Sequence, residues 1–300
     1  MSSMQGFEVY KLMLTDIDRL GDRMKMLEAN TQSTLVPGQP VVVRLDGKGF
    51  SRFCKDMEKP HDVKFRKCMV KTMTYLCKQW NAVCGYTQSD EITLLLRNDV
   101  SVETPTLSGI PFSGRTQKLV SLTSAKASTY FNRMLDKYYP EMVRKVEDDL
   151  DLDCEVLDSR VYSVPDETWG LLSLVWRELD CTKNAITQAA LCVYSHKELF
   201  KKGSSEKLEM MARAGVDYDA YPVAFRRGVF VFKKRRGVAL TEVELARIPV
   251  ANRPTGLVDR SVLDVGSLPK RTVLLEYADL MRWVWDERAE VDLVLCPELK

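Results

Sequence analysis

The chain has 300 residues, 45% of them hydrophobic and 29% charged, which is enough for a substantial core in one large domain or one and a half. A formal charge of only +2 excludes bulk positive charge as the means of holding nucleic acid. It leaves local patches such as Arg226-Arg227 and Lys233–Arg236, each of which reads first as solvated surface. Eight scattered cysteines with no CxxC pair, and only His61 and His196 as histidines, argue against zinc and suit a reducing compartment.

Residues 1–30 carry helical spacing, with Tyr10, Met13, Leu14 and Ile17 followed by Leu20, Met24 and Leu27. A linker with Pro37, Gly38 and Pro40 leads to Val41–Phe50, read as a buried strand that ends at Asp46, Gly47 and Gly49. Asp62 is a candidate N-cap for an amphipathic helix over 62–80, with Phe65, Met69, Met73, Leu76 and Trp80 on one face. Its other face, Lys64, Arg66, Lys67, Lys71 and Lys78, reads as solvated.

Ala82–Tyr86 and Ile92–Leu96 form a predicted hairpin with Gln88-Ser89-Asp90-Glu91 at or near its tip. The helical crossover predicts that the hairpin's first strand runs parallel to strand 41–46 in one sheet. A polar loop over 101–113 precedes a second long helix from about Ser113 to Tyr138. Arg115 and Lys118 sit in its first turn, where cations oppose the helix dipole; a bound triphosphate or plain solvent screening would offset that cost. Pro140–Asp153 is acidic, Cys154–Val164 reads as a strand, and a third helix runs from Asp166 towards Val193. Ser195–Glu198 matches a capping box, Ser204–Ala214 is a short helix stopped by Gly215, and residues 228–234 are a strand. Cys68, Cys77 and Cys192 fall in apolar-periodic stretches and read as small core residues. Short apolar runs such as Arg271–Tyr277 and Leu280–Val284 make 237–300 an unassigned C-terminal appendage. No apolar stretch is long enough to be a signal peptide or a membrane span, so a cytoplasmic protein is expected.

Asp46 or Asp90 alone reads as a turn residue. In strand–helix–hairpin order they are expected to meet, with Glu91 beside them. An acidic site without histidine or cysteine suits Mg²⁺. Two aspartates that each bridge two ions, helped by the Gly47 carbonyl, satisfy the requirements of two-metal phosphoryl transfer.

RLDGKGFSRF, KPHD, YTQSDEITLLL, SGRTQKLVS and DSRVYSVP stand in the order and spacing of the tRNA(His) guanylyltransferase superfamily, and the chain resembles its guanylyltransferase-like members over about residues 40–235. The resemblance implies an α+β fold: a polymerase-palm-like, ferredoxin-like antiparallel or mixed sheet with flanking helices. Its domains would be an N-terminal helical segment 1–35, a catalytic domain 36–236 and the appendage 237–300. It implies nucleotide addition to the 5′ end of tRNA through 5′-adenylylation by ATP, with GTP as a further substrate and a homotetramer as the assembly. By resemblance, Asp46, Gly47 and Asp90 hold two Mg²⁺ ions and Glu91 supports them. Lys59 contacts the activating nucleotide, Ser89 acts beside the metals, Arg115 and Lys118 bind a triphosphate, and Asn184 sits near the RNA or nucleotide end. One departure is that family members adding the extra guanosine carry HINNLYN where this chain has Thr182–Gln188, with only Asn184 retained. That favours templated 5′-end addition or repair. Two other readings use the same fold: a nucleotide cyclase or other nucleotidyltransferase, and a non-catalytic RNA-binding relative.

Overall fold

The computed structural model describes residues 17–97, 110–140, 154–268 and 278–296. The expectations for Tyr10, Met13 and Leu14, for most of the 101–113 loop, for the acidic 141–153 stretch and for the Arg271–Tyr277 run lie outside the described residues.

The elements in chain order begin with α1 (Ile17–Ala29), β1 (Val41–Gly47), α2 (Val63–Trp80), β2 (Cys84–Gln88), β3 (Glu91–Leu96), α3 (Thr116–Tyr138) and β4 (Leu157–Ser163). Next come α4 (Glu167–Ala190), α5 (Ser204–Arg213), α6 (Val223–Arg227), β5 (Val229–Val238), β6 (Val258–Gly266) and α7 (Ala278–Trp285). The six strands form one sheet in the order β4-β1-β3-β2-β5-β6, with every neighbouring pair antiparallel. β2 does run parallel to β1, as the crossover predicts, but β3 is inserted between them. The fold is therefore α+β, an antiparallel sheet with flanking helices.

Strand alternation sends successive side chains to opposite faces, and both faces are covered. Val43, Leu45, Ile92, Leu94 and Val231 pack against α2 and α3 through Met69, Met73, Leu76 and Phe131. Val42, Leu95, Phe230 and Phe232 pack against Leu171, Leu174 and Trp283 of α4 and α7. α4 can lie this close because Gly170 faces the sheet: a Cβ there would be 2.9 Å from Leu95 Cδ1.

The helix starts agree with the sequence. Asp62 caps α2 by accepting from the Phe65 N–H at 2.9 Å, and Asp166 caps α4 by accepting from the Trp169 N–H at 3.0 Å. Ser195 and Glu198 form the expected capping box. The hairpin pairs to its tip, so its first strand is Cys84–Gln88, two residues later than the apolar run suggested. Cys68 and Cys77 are buried, but Cys192 is exposed, because α4 ends at Ala190 and helical periodicity does not extend to the residues beyond it.

The expected boundary at residue 236 falls within β5. Residues after it supply β6, paired with β5 from Phe230↔Gly266 to Val238↔Val258, and α7, whose Leu280 and Trp283 enter the second core. The basic patches are not free surface charge. Arg226 pairs with Asp219, Arg227 with Glu178, Lys233 with Glu287, Arg235 with Asp259 and Arg236 with Asp264. Lys234 is buried, with Nζ donating to the Trp283 and Asp286 carbonyls.

Candidate active site

β1 carries Asp46 and Gly47 to the end of the sheet. The register pairs Asp46 with Asp158 and Gly47 with Leu157 on β4. On the other side Leu45 pairs with Ile92, so Glu91 continues the register opposite Asp46. Ser89 and Asp90 form the two-residue hairpin tip, with Ser89 in the left-handed region at φ 52°. At Gly47 a Cβ would run into the Phe50 ring, so the turn after Asp46 packs directly onto the first core.

Burial pushes the Asp90 carboxyl above its ordinary value, and the negative charges of Asp46 and Glu91 push it further. Its own backbone N–H and the Ser89 hydroxyl pull it back. The two strand ends thus crowd carboxylates together, an arrangement that favours a cation. Glu91 is held from beneath by Arg177 of α4, which also donates to Asp180 at 2.9 Å; Arg44 comes within 4.0 Å of Glu91.

Asp90 and Ser89 also line a cavity of about 400 Å³ whose other walls include Lys59, His61, Arg66, Gln188 and Phe225. That volume suits a small ligand. Lys59 Nζ donates to the Cys54 carbonyl at 2.6 Å, and the His61 ring stacks on Phe225 with centroids 5.0 Å apart. Burial, with the Asp90 charge added, pushes the Cys54 thiol up to about 12 against the pull of Lys59, so it is not a nucleophile at neutral pH. A larger recess of about 680 Å³ between α4 and α5 shares no lining residue with this cavity, and its Arg226 and Arg227 are already paired. The smaller cavity is the candidate because the carboxylate end opens into it.

The structure therefore brings Asp46, Gly47, Ser89, Asp90, Glu91 and Lys59 to one end of the sheet. It does not bring Arg115 and Lys118 there. α3 is tied to that end by Ser128, whose Oγ accepts from the Leu157 N–H at 2.9 Å. Lys118 precedes Ser128 by ten residues, about 15 Å along the helix axis, and lies towards the opposite end. There Lys118 sits 5.0 Å from the Phe112 ring centroid, and Arg115 Nε donates to the Phe112 carbonyl at 3.3 Å. Asn184 is exposed on α4 and does not line the cavity; Gln188, one turn further on, does. Spacing of four on a helix would have flagged Gln188 once Asn184 was singled out. Arg66, assigned to a solvated face, lines the cavity instead, because α2 begins at its rim.

Among the described residues no three His, Cys, Asp or Glu side chains are grouped to hold a metal. A cation here would rest on Asp46 and Asp90, backbone oxygen and substrate phosphates. That oxygen-only donor set fits Mg²⁺, which usually takes one or two carboxylates and keeps several waters.

A family model described as tRNAHis guanylyltransferase matches residues 21–165, which contain Asp46, Lys59, Ser89, Asp90 and Arg115 but not α4. An uncharacterised protein of Acanthamoeba polyphaga mimivirus is 29% identical over 229 residues, 72% of this chain and 77% of its own length. The tRNA(His) guanylyltransferase 2 of Arabidopsis thaliana is 28% identical over 230 residues; the alignment takes in 70% of this chain but only 39% of that protein. A bacterial tRNA(His) guanylyltransferase-like protein, solved in complex with ATP, superposes with a TM-score of 0.63 at 27% identity, covering 72% of this chain and 87% of that one. Together these similarities place the chain in the tRNA(His) guanylyltransferase superfamily, whose named members are nucleotidyltransferases.

Proposed function

We propose that this protein is a Mg²⁺-dependent 3′–5′ nucleotidyltransferase that adds nucleotides to the 5′ end of tRNA after activating that end with ATP. The observation that carries the reading is the meeting of Asp46 and Asp90 beside a cavity lined by Lys59 and Ser89, in a chain of this superfamily.

Asp46, Asp90 and the Gly47 carbonyl would hold two Mg²⁺ ions. The ions would supply charge neutralisation and a lowered pKa for an attacking hydroxyl. The chain's own groups do the rest. Lys59 places its ammonium against the phosphates of ATP in the cavity, and Ser89 keeps the Asp90 carboxylate oriented. Glu91, anchored on Arg177, fixes the start of β3. In the first step a 5′-phosphate oxygen of the RNA bonds to the α-phosphorus of ATP and pyrophosphate leaves. In the second, the 3′-oxygen of an incoming nucleoside triphosphate such as GTP bonds to the RNA 5′-phosphorus, its proton is lost, and AMP leaves. Both steps gain from fixed positive charge at the developing oxyanions.

Arg115 and Lys118 bind the incoming triphosphate. Because they lie far from Asp46 along α3 within one chain, they do so from a neighbouring subunit, which gives the proposed homotetramer a chemical role. The divergence over Thr182–Gln188 leaves nucleotide choice to Watson–Crick pairing with the opposite strand of the acceptor stem. All eight cysteines are free, which suits a cytoplasmic setting, and among the described residues no helix is long and apolar enough to cross a membrane.

The reading is tested with 5′-monophosphorylated tRNA and ATP labelled at the α-phosphate. Label should pass to the RNA in Mg²⁺ and not in EDTA. Folded protein that leaves several tRNAs unlabelled in Mg²⁺ would refute it.

A further inference from the structure

We propose that Trp176 of α4, with Arg44 of β1 beneath it, is the seat on which the RNA strand is held as it enters the carboxylate site. The proposal rests on the reading of RNA as substrate and adds the residues that position it.

α4 buries Leu171, Leu174 and Val175 against the sheet but leaves a row of large side chains outside: Trp169, Leu172, Trp176 and Leu179. Trp176 is 50% exposed although it stands beside the sheet. The Arg44 guanidinium is 5.6 Å from its ring centroid, and that of Arg177 is 4.5 Å away. Arg177 is taken up by Glu91 and Asp180. Arg44 is not: its buried Nε has no hydrogen-bond partner, and Glu91 approaches only to 4.0 Å, beyond hydrogen-bond reach. The register places the half-exposed Arg160 directly beside Arg44 on β4, with Asp158 at 3.5 Å as its partner.

Arg44 and Asp46 are two residues apart on β1. They share one face and stand about 7 Å apart along the strand. An aromatic ring with an open surface, a guanidinium with an unfilled donor, and the candidate catalytic carboxylates therefore succeed one another in a line. A nucleobase stacks on the indole, the adjoining phosphate meets Arg44, and the next phosphorus lies at Asp46 and Asp90. An apolar protein partner would strand the Arg44 donor and the Arg160 charge against its surface, whereas a polyanion with π-faces matches both.

The test compares wild type, Trp176→Ala and Trp176→Phe as full chains with a 5′-truncated tRNA fluorescently labelled at its 3′ end. Dissociation constants are read by anisotropy, and KM values for RNA and ATP by nucleotide addition. Trp176→Ala is expected to raise the RNA Kd and the RNA KM about tenfold, the loss of one stacked base, with KM for ATP unchanged. Trp176→Phe keeps a π-face and should recover most of the loss. Unchanged RNA Kd and KM in Trp176→Ala would overturn the proposal. So would an absence of RNA binding in the wild type, or a change in mass by light scattering with per-subunit RNA affinity intact, which would make the row a subunit contact. If the wild type binds RNA through Trp176 but adds no nucleotide, this inference stands and the proposed reaction falls.

Discussion

Asp62 joins three segments at one carboxylate, and replacing it by alanine tests how the cavity is built. Oδ1 accepts from the Phe65 N–H at 2.9 Å and from the Tyr139 hydroxyl at 2.5 Å, and Oδ2 from the Glu58 N–H at 3.3 Å. Loss of the N-cap costs about 1 kcal/mol. A Tyr139 hydroxyl left without its acceptor adds about 1 kcal/mol. The sum, about 2 kcal/mol, corresponds to a fall in Tm of about 4 °C for a chain of this size. The pH dependence carries a sign. Burial raises the Asp62 pKa, but the hydrogen bonds from Tyr139, Phe65, Glu58 and Lys64 outweigh it and leave the carboxyl below its ordinary value. A carboxyl lowered by folding contributes stability above its unfolded pKa of about 4 and loses it as pH falls through the folded value. Thermal unfolding of wild type and Asp62→Ala should therefore differ most at neutral pH and converge in acid. Because Glu58–Asp62 also holds Lys59 in the cavity wall, the variant should raise KM for ATP. Equal Tm values at pH 7, or a gap that widens on acidification, would refute this account.

Asp90→Asn should leave the fold as stable as wild type or more so, because it removes crowded negative charge. It should lower nucleotidyl transfer a thousandfold or more, since losing several kcal/mol of metal-mediated stabilisation has that effect; parallel melting curves and rate measurements check both. Arg227→Met strands Glu178, which is 1% exposed, and should cost about 3–5 kcal/mol in urea unfolding, while the double change Arg227→Met with Glu178→Leu should recover most of it. Phe131→Ala empties a fully buried site against Phe50 and should cost about 3–5 kcal/mol, read by the same unfolding curves.

The elements that position the carboxylates are legible in the chain because their signals are local. The apolar run into Asp46, the Asp62 and Asp166 caps and the two-residue tip at Ser89 and Asp90 each lie within a few residues of the feature they determine. The features that sequence reading missed depend on distant partners. Lys233–Arg236 looks like a basic patch because Asp259, Asp264 and Glu287 lie far along the chain. β6 looks unassignable because its charges are spent on an outer strand, where Arg260 meets Glu244 and Asp264 meets Arg236. The place of Arg115 and Lys118 is set by the direction in which α3 crosses α2, which periodicity does not give. Arg177, the cation under Glu91, stands in an apolar helical pattern and becomes visible only when α4 is laid across β3.

The central claim is that the Asp46–Asp90 end of the sheet extends RNA at its 5′ terminus. The most direct measurement is 5′-end mapping of a tRNA lacking its first nucleotide, incubated with the protein, Mg²⁺, ATP and GTP. A cytosine opposite the missing position is the variable to set. Wild-type protein should yield RNA longer by the templated guanosine, and Asp46→Asn should leave the RNA unchanged. Unextended RNA from folded wild-type protein, or equal extension by Asp46→Asn, would contradict the claim.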